Sequence, residues 1–360
     1  MNNNRVKKVL VVSPSFHLGG IERTVSNLSN YFVSQNIEVV FISLLKGTVF
    51  FELNEKIKID YPRFKRQGNL FNLIFYRLRL VFFLRKRIKQ NKPDAILSMS
   101  DTFNGIALLA NLALGTKIFI GDVTKPDKKF KFSTRVMKKY LYPFSTGFIA
   151  QTESSADFYR LNFKNKLNIK VINGAVKEIM PYDIPKEKLI IVVGRLSIEK
   201  GQDRMIDIFE RVRNRDGWKL GFTADGPLKN TLIQLIQNRN LTEHVQLLGR
   251  VEDLDQLYAR ASIFAMPSRM EGFPNALCEA MAAGLPCVCF DSFPAHEIME
   301  DGKDGFIVAD GEYDEFAMKI EMLIESNTLR NQIGNKAREI KERLSVEKIG
   351  IEFLNFFNSI

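Results

Sequence analysis

Histidine and cysteine are scarce in this chain, three of each among 360 residues, and tryptophan occurs once. The cysteines, Cys278, Cys287 and Cys289, crowd into one short stretch. That excludes a disulfide framework and points to a reducing compartment. Cys287 and Cys289 alternate in an apolar run and read as small hydrophobes on one side of a strand. No His–Cys spacing matches a zinc site, so no structural zinc is expected. No apolar run approaches the roughly 20 residues that span a bilayer. The opening MNNNRVKKVLVV passes directly into a strand-like pattern and offers no signal-peptide cleavage site.

What is present describes a folded, soluble protein: 45% hydrophobic and 26% charged residues, in a chain long enough for two domains. The net charge of +11 is unevenly spread. Residues 1–170 carry 29 Lys and Arg against 11 Asp and Glu, whereas 171–360 carry 23 against 30. A basic half and an acidic half imply different partners. The basic half suits a phosphorylated substrate, an anionic membrane surface or nucleic acid, or is simply a solvated surface.

Short β-rich runs alternate with amphipathic stretches, which reads as βα units around parallel sheets. The first series of strands is expected at 6–15, 37–45, 94–100, 116–123, 147–152 and 169–175. A second is expected at 189–196, 219–226, 245–251, 262–268, 286–291 and 305–308. The proline- and charge-rich KEIMPYDIPKEK, 177–188, reads as an interdomain linker. The division is thus 1–176, linker 177–188, 189–340, and a C-terminal helix in 341–360 that packs back on the first domain. Two doubly wound domains joined this way imply a cleft, with ligands outside the carboxyl ends of the strands. That rule selects Gly19 and Gly20, Arg195, Asp225–Gly226, Arg250 and the stretch SRMEGFPNALCEA, 268–280.

In that last stretch SIFAMPS is a strand, Glu271–Pro274 a turn, and Asn275 the expected N-cap of a helix ending at Gly284. Free amides around Asn275 and Ala276, with the helix dipole, make an anion site suited to phosphate. Glu279, one turn in, is placed to reach ribose hydroxyls, and Glu271 faces the ligand's other end. Acids on both sides of an anion site fit a nucleotide sugar. Taken alone, the segment reads first as a strand–turn–helix with surface glutamates. GRLSIEKG, 194–201, adds Arg195 and Lys200, two cations able to neutralise a departing diphosphate.

GRLSIEKG followed by EGFPNALCEAMAAGLP resembles the paired signatures of glycosyltransferase family 4, retaining enzymes of the GT-B fold. HLGGIER (17–23), VINGAV (171–176), ADGPLKNTL (224–232) and the run 247–268 match that family's pattern in order. The resemblance implies two Rossmann-like α/β domains facing each other across a cleft. It implies that Arg195 and Lys200 hold the donor diphosphate, that Glu279 holds the ribose, and that Glu271 contacts the transferred sugar. Gly272 lies in the same turn, and the backbone of Phe273, Asn275 and Ala276 would orient that sugar. Gly19 and Gly20 would approach the phosphates, Gly226 would line the donor site, and Arg250 and Val251 would meet the base. No cofactor or divalent metal is implied. The family's usual N-domain His has no counterpart in FIGDVTKPDKKF, 119–130, so Asp122 and His17 are the candidates for a sugar or acceptor contact.

LFNLIFYRLRLVFFLRKRIKQ, 70–90, carries two apolar stripes at helical period, 71/74/75/78/81/82 and 73/76/80/83/84, interleaved with six Arg and Lys. Such a helix is either deeply buried or touches a second apolar phase. Residues 125–139 add seven more positive charges. The expected activity is retaining transfer from a nucleotide sugar, a UDP-sugar in the first instance. The acceptor would be a lipid-diphosphate-linked saccharide, in capsule, O-antigen or exopolysaccharide assembly. The enzyme would sit on the cytoplasmic face of an anionic membrane. The alternative is a related enzyme with a soluble acceptor; nucleic acid is not an expected partner, because no recognition motif for it is present.

Overall fold

The computed structural model describes residues 5–15, 20–45, 47, 50–64, 70–125, 128, 130–292 and 294–360, the side chains at 70 and 71 excepted. The chain divides into two compact units, Met1–Ala175 with Val346–Ile360, and Val176–Ser345. His17 and Gly19 lie outside the described residues.

The first unit runs β1 (Lys8–Ser13), α1 (Gly20–Ser34), β2 (Glu38–Ser43), β3 (Lys58–Asp60), α2 (Leu70–Asn91), β4 (Ala95–Met99), α3 (Asn104–Asn111), β5 (Lys117–Gly121), α4 (Phe132–Leu141), β6 (Gly147–Ala150), α5 (Glu153–Asn162) and β7 (Ile169–Val171). Among the described residues its sheet has seven strands in the order β3-β2-β1-β4-β5-β6-β7, all paired in parallel. The inner strands are apolar on both faces, as a sheet covered by helices on each side requires. β3 went unanticipated because its three residues carry only one apolar side chain, Ile59, at an exposed edge.

The second unit contains β8 (Leu189–Val192), α6 (Gln202–Arg211), β9 (Lys219–Thr223), α7 (Lys229–Asn238), β10 (Val245–Gly249), α8 (Leu254–Arg260), β11 (Ile263–Met266), α9 (Asn275–Ala282), β12 (Cys287–Phe290), β13 (Phe306–Val308), α10 (Tyr313–Glu325), α11 (Asn327–Ala337) and α12 (Ile340–Arg343). Its strand order, β10-β9-β8-β11-β12-β13, reverses direction at β8. Loops leaving β8 and β11 therefore meet at the carboxyl edge, where ligands bind such sheets. Met205, Ile206 and Phe209 of α6, with Phe222, Phe290 and Phe316, fill one core layer. The three cysteines are buried and unbridged, and burial pushes their thiols up, out of the reactive range.

The stretch 177–188 is bound along α8 and belongs to the second unit. Lys177 pairs with Asp255, and the Met180 amide donates to the same carboxylate at 3.1 Å. Tyr182 donates to Asp253, and Lys186 Nζ to the Tyr258 carbonyl. Arg260 closes on Glu187 at 2.8 and 3.1 Å. Charge and proline content mark such a stretch as irregular, but not as detached. The last helix, α13 (Val346–Asn358), lies in the first unit. There Phe357 packs on Phe32 of α1, and both Phe356 and Phe357 pack on Phe119 of β5.

Candidate functional site

Between β8 and α6 the chain turns twice, at Gly194 and through a short 3-10 turn, Ile198–Lys200. Gly201 follows at φ +67°, and a Cβ there would lie 2.1 Å from the Pro267 carbonyl oxygen. Only glycine combines that left-handed backbone with so close an approach. This contact joins the loop after β8 to the loop after β11. The second loop is further tied down by Arg269, which grips Asp203 of α6 at 2.7 and 2.5 Å. Burial alone would raise the Asp203 carboxyl, but the guanidinium outweighs it and the net shift is downward.

With the loops locked together, Lys200 reaches Glu271. Its Nζ donates to both carboxylate oxygens at 2.8 Å, and Ser268 Oγ donates to Oε1 at 2.7 Å. Glu271 is nearly buried, with its side chain 8% exposed against 32% for Lys200. Arg195, one step past Gly194, is exposed, and among the described residues its guanidinium has no hydrogen-bond or ion-pair partner. The site thus has one cation already held by a carboxylate and one open to solvent.

Glu279 sits on the second turn of α9, 4% exposed. It accepts a hydrogen bond from the hydroxyl of Tyr258, itself fully buried, at 3.2 Å. Phe273 is buried beneath the turn, while Gly272, Asn275 and Ala276 are half-buried. Asn275 is not the N-cap. Pro274 occupies that position, no side chain caps the helix, and Asn275 is its first residue. Proline presets its own backbone just before a helix but has no side-chain acceptor. The Asn275 amide, expected to be free, already donates to the Phe273 carbonyl at 3.0 Å, and no side chain caps the helix beyond it.

Gly226, in the loop after β9, would place a Cβ 2.2 Å from the Leu196 carbonyl oxygen. The Leu196 amide bonds to Asp225 O, and the Leu228 amide bonds back to Leu196 O. Gly226 therefore shapes the Arg195 loop through its backbone. Arg250 and Val251 follow β10, where a bulge at Leu247/Gly249 bends the strand end. The structure brings Arg195, Lys200, Gly226, Glu271, Gly272 and Phe273 onto neighbouring loops of one sheet edge, with Asn275, Ala276 and Glu279 on α9 directly after them. Arg250 and Val251 lie at the outer end of that edge.

In the first unit Gly20 is exposed and begins α1. Asp122, expected as a sugar contact, is sealed inside the unit, its side chain 1% exposed. It accepts from Tyr142 at 2.7 Å and from Asn104 at 3.1 Å, accepts from Tyr159, and pairs with Lys138 at 2.7 Å. Lys138 also holds Asp101 at 3.0 Å. Burial, then the nearby Asp122 charge, raises the Asp101 carboxyl from 3.8 to about 6. Burial lowers the Lys138 ammonium, but Asp122 and Asp101 prevail and the net shift is upward. Reading the sequence missed Ser268, Tyr258 and this network. The network and the Tyr258–Glu279 bond link residues far apart in the chain, whereas Ser268, three residues before Glu271, gives no local sign of its partner.

A family model described as glycosyl transferases group 1 matches residues 178–340, and one described as Glycosyltransferase Family 4 matches 18–177. Over 359 residues the chain is 24% identical to a Campylobacter jejuni enzyme, covering 98% of this chain and 99% of that one. That relative is named GalNAc-alpha-(1->4)-GalNAc-alpha-(1->3)-diNAcBac-PP-undecaprenol alpha-1,4-N-acetyl-D-galactosaminyltransferase. The amylovoran biosynthesis glycosyltransferase AmsD of Erwinia amylovora is 26% identical, covering 92% of this chain and 93% of its own. Among solved structures, Anabaena HepE in complex with UDP and glucose superposes with a TM-score of 0.83 at 21% identity, covering 98% of this chain and 100% of HepE.

Proposed function

Because the chain belongs to the GT-B glycosyltransferases of the family 4 type, we propose that it moves a sugar, with retention, from a UDP-sugar to a lipid-diphosphate-linked saccharide. The setting is assembly of a bacterial surface polysaccharide; the Campylobacter relative is named for a PP-undecaprenol-linked saccharide and the Erwinia relative for amylovoran biosynthesis. The enzyme works against the cytoplasmic face of the membrane that carries such an acceptor.

One observation carries the reading: Lys200 clamped by Glu271 beside the open Arg195, at the point where the strand order reverses. A diphosphate entering there meets two cations and the N-terminus of α9, which no side chain caps. Charge building on the leaving phosphate is stabilised by groups already in position, with little reorganisation at the moment of transfer. Lys200 keeps Glu271 as a neighbour, so the ammonium is oriented before the donor arrives and is shared with phosphate afterwards. Glu271 then turns its remaining acceptor capacity to sugar hydroxyls. Glu279, fixed by Tyr258, serves the ribose. Attack comes from the face the phosphate leaves, with the departing oxygen taking the acceptor's proton.

A panel of nucleotide sugars tested by thermal unfolding and by transfer to a lipid-linked acceptor checks this. UDP and one UDP-sugar should raise the midpoint, and the anomeric configuration of the product should match the donor's. Absence of stabilisation by any nucleotide sugar would overturn the donor assignment.

A further inference from the structure

The first unit shows a second surface with a chemistry of its own, on α2 and α4. α2 places Tyr76, Leu80, Leu84 and Ile88 in the core at a four-residue spacing. Its other apolar stripe is left outside: Ile74, Phe75, Leu78 and Phe82 are all exposed, Phe82 at 69%. α4 repeats the arrangement. Phe132, Val136 and Tyr140 stand at successive four-residue steps, with Phe144 just beyond, and Phe132 is 75% exposed. The two helices belong to one layer. Arg77 of α2 donates to Ser133 of α4 at 3.0 Å, and Met137 of α4 packs against Gly105 of α3. Isolated exposed hydrophobics need no explanation, but two aligned stripes of large side chains mark an interaction face.

The charge on these helices is of one sign. Neither α2 nor α4 contains an acidic residue, and together they carry nine Lys and Arg. Several of these are committed inward: Lys138 to Asp101 and Asp122, Arg87 to Asp60, and Arg85 to carbonyls at the end of α3. Lys86 and Lys89 remain exposed in the last turns of α2. Lys131, Arg135 and Lys139 form an exposed basic row directly beside the apolar row of α4.

We propose that the α2–α4 face docks this protein on an anionic lipid surface, its large apolar side chains entering the acyl boundary and the basic row meeting headgroups. The proposal rests on the reading that the acceptor is lipid-anchored, and it assigns the part of the chain that meets the bilayer. A second copy of the chain is disfavoured as occupant, because it would bring two basic rows together. Among the described residues no helix is long and apolar enough to cross a membrane, so the contact is with one leaflet.

Co-sedimentation of the full chain with phosphatidylcholine vesicles, with and without phosphatidylglycerol, at low and high salt, tests the proposal. Recovery should be high only with the anionic vesicles and should fall as salt screens the charges. Phe75→Ser combined with Phe132→Ser should lower partitioning about tenfold or more. Replacing Lys131, Arg135 or Lys139 with Gln should cost about fivefold per charge. Thermal midpoints of these variants, and their stabilisation by UDP, should match the parent protein. Equal recovery with neutral and anionic vesicles at low salt, or none with either, would overturn the assignment. So would a lipid-free dimer abolished by the Phe75/Phe132 pair of substitutions, which would give the face to a second copy. UDP-induced stabilisation is read without vesicles, so failure of docking and failure of the donor site are separate results.

Discussion

Glu271 and Glu279 belong to the same turn-and-helix segment but have different surroundings. Glu279 is buried and accepts from a neutral hydroxyl, Tyr258, which helps to fix the position of its carboxylate. Glu279→Ala should weaken UDP binding about tenfold, the size of one hydrogen bond to a charged group, as read by calorimetric titration. Glu271 is held by a cation and a hydroxyl. Glu271→Ala frees Lys200, so UDP affinity should hold or rise while the rate of transfer falls by at least about tenfold. Unchanged transfer in that variant would sink the role given to the pair. Asp101 makes a pH prediction of a different kind. Its folded carboxyl titrates at about 6 rather than 3.8, so the folded state holds this proton more tightly than the unfolded chain. The associated stability is complete below the ordinary value and is lost as pH rises through about 6. Thermal unfolding of Asp101→Asn across that window should show a smaller decline than the parent. A parallel decline would place the proton elsewhere.

At the scale of elements, the stretch 177–188 is a strap on α8, and its fastenings differ in strength. Asp255, 8% exposed, serves both Lys177 and the Met180 amide. Asp255→Ala removes both contacts of a nearly buried carboxylate and should destabilise the second unit by about 1–3 kcal/mol. The Arg260–Glu187 pair is about half exposed on both sides, so Arg260→Ala should cost under about 1 kcal/mol. Denaturant unfolding compares the two, and a larger effect for Arg260 would contradict this ranking. α2 shows how an element's pattern leaves a question open. Its two apolar stripes were legible in the sequence, but which one faces the sheet was not. Tyr76, Leu80, Leu84 and Ile88 face inward because the strands and α3 offer them partners there.

At the scale of the whole molecule, transfer is assigned to side-chain cations and a helix terminus, so activity should be unchanged by excess EDTA. Loss of turnover that returns with a divalent ion would reverse that assignment. UDP at about one hundred times its dissociation constant should stabilise the protein by about 2.7 kcal/mol, detectable as a higher unfolding midpoint. The alternation of β-rich and amphipathic runs settled the two parallel sheets, since strands buried on both faces must be apolar throughout. The places of Arg195, Lys200, Glu271 and Glu279 after strand ends, in a turn and in a helix were legible too, because these features are local in sequence. Tertiary structure alone decided what those side chains touch. Lys200 meets Glu271 only because β8 and β11 are neighbours and Gly201 lets their loops close. Asp122 is locked among Tyr142, Tyr159, Asn104 and Lys138 because three helices and a strand end converge on it. Hydrophobic periodicity specifies each element's buried face, but which polar groups meet between elements depends on packing that no short window of sequence contains.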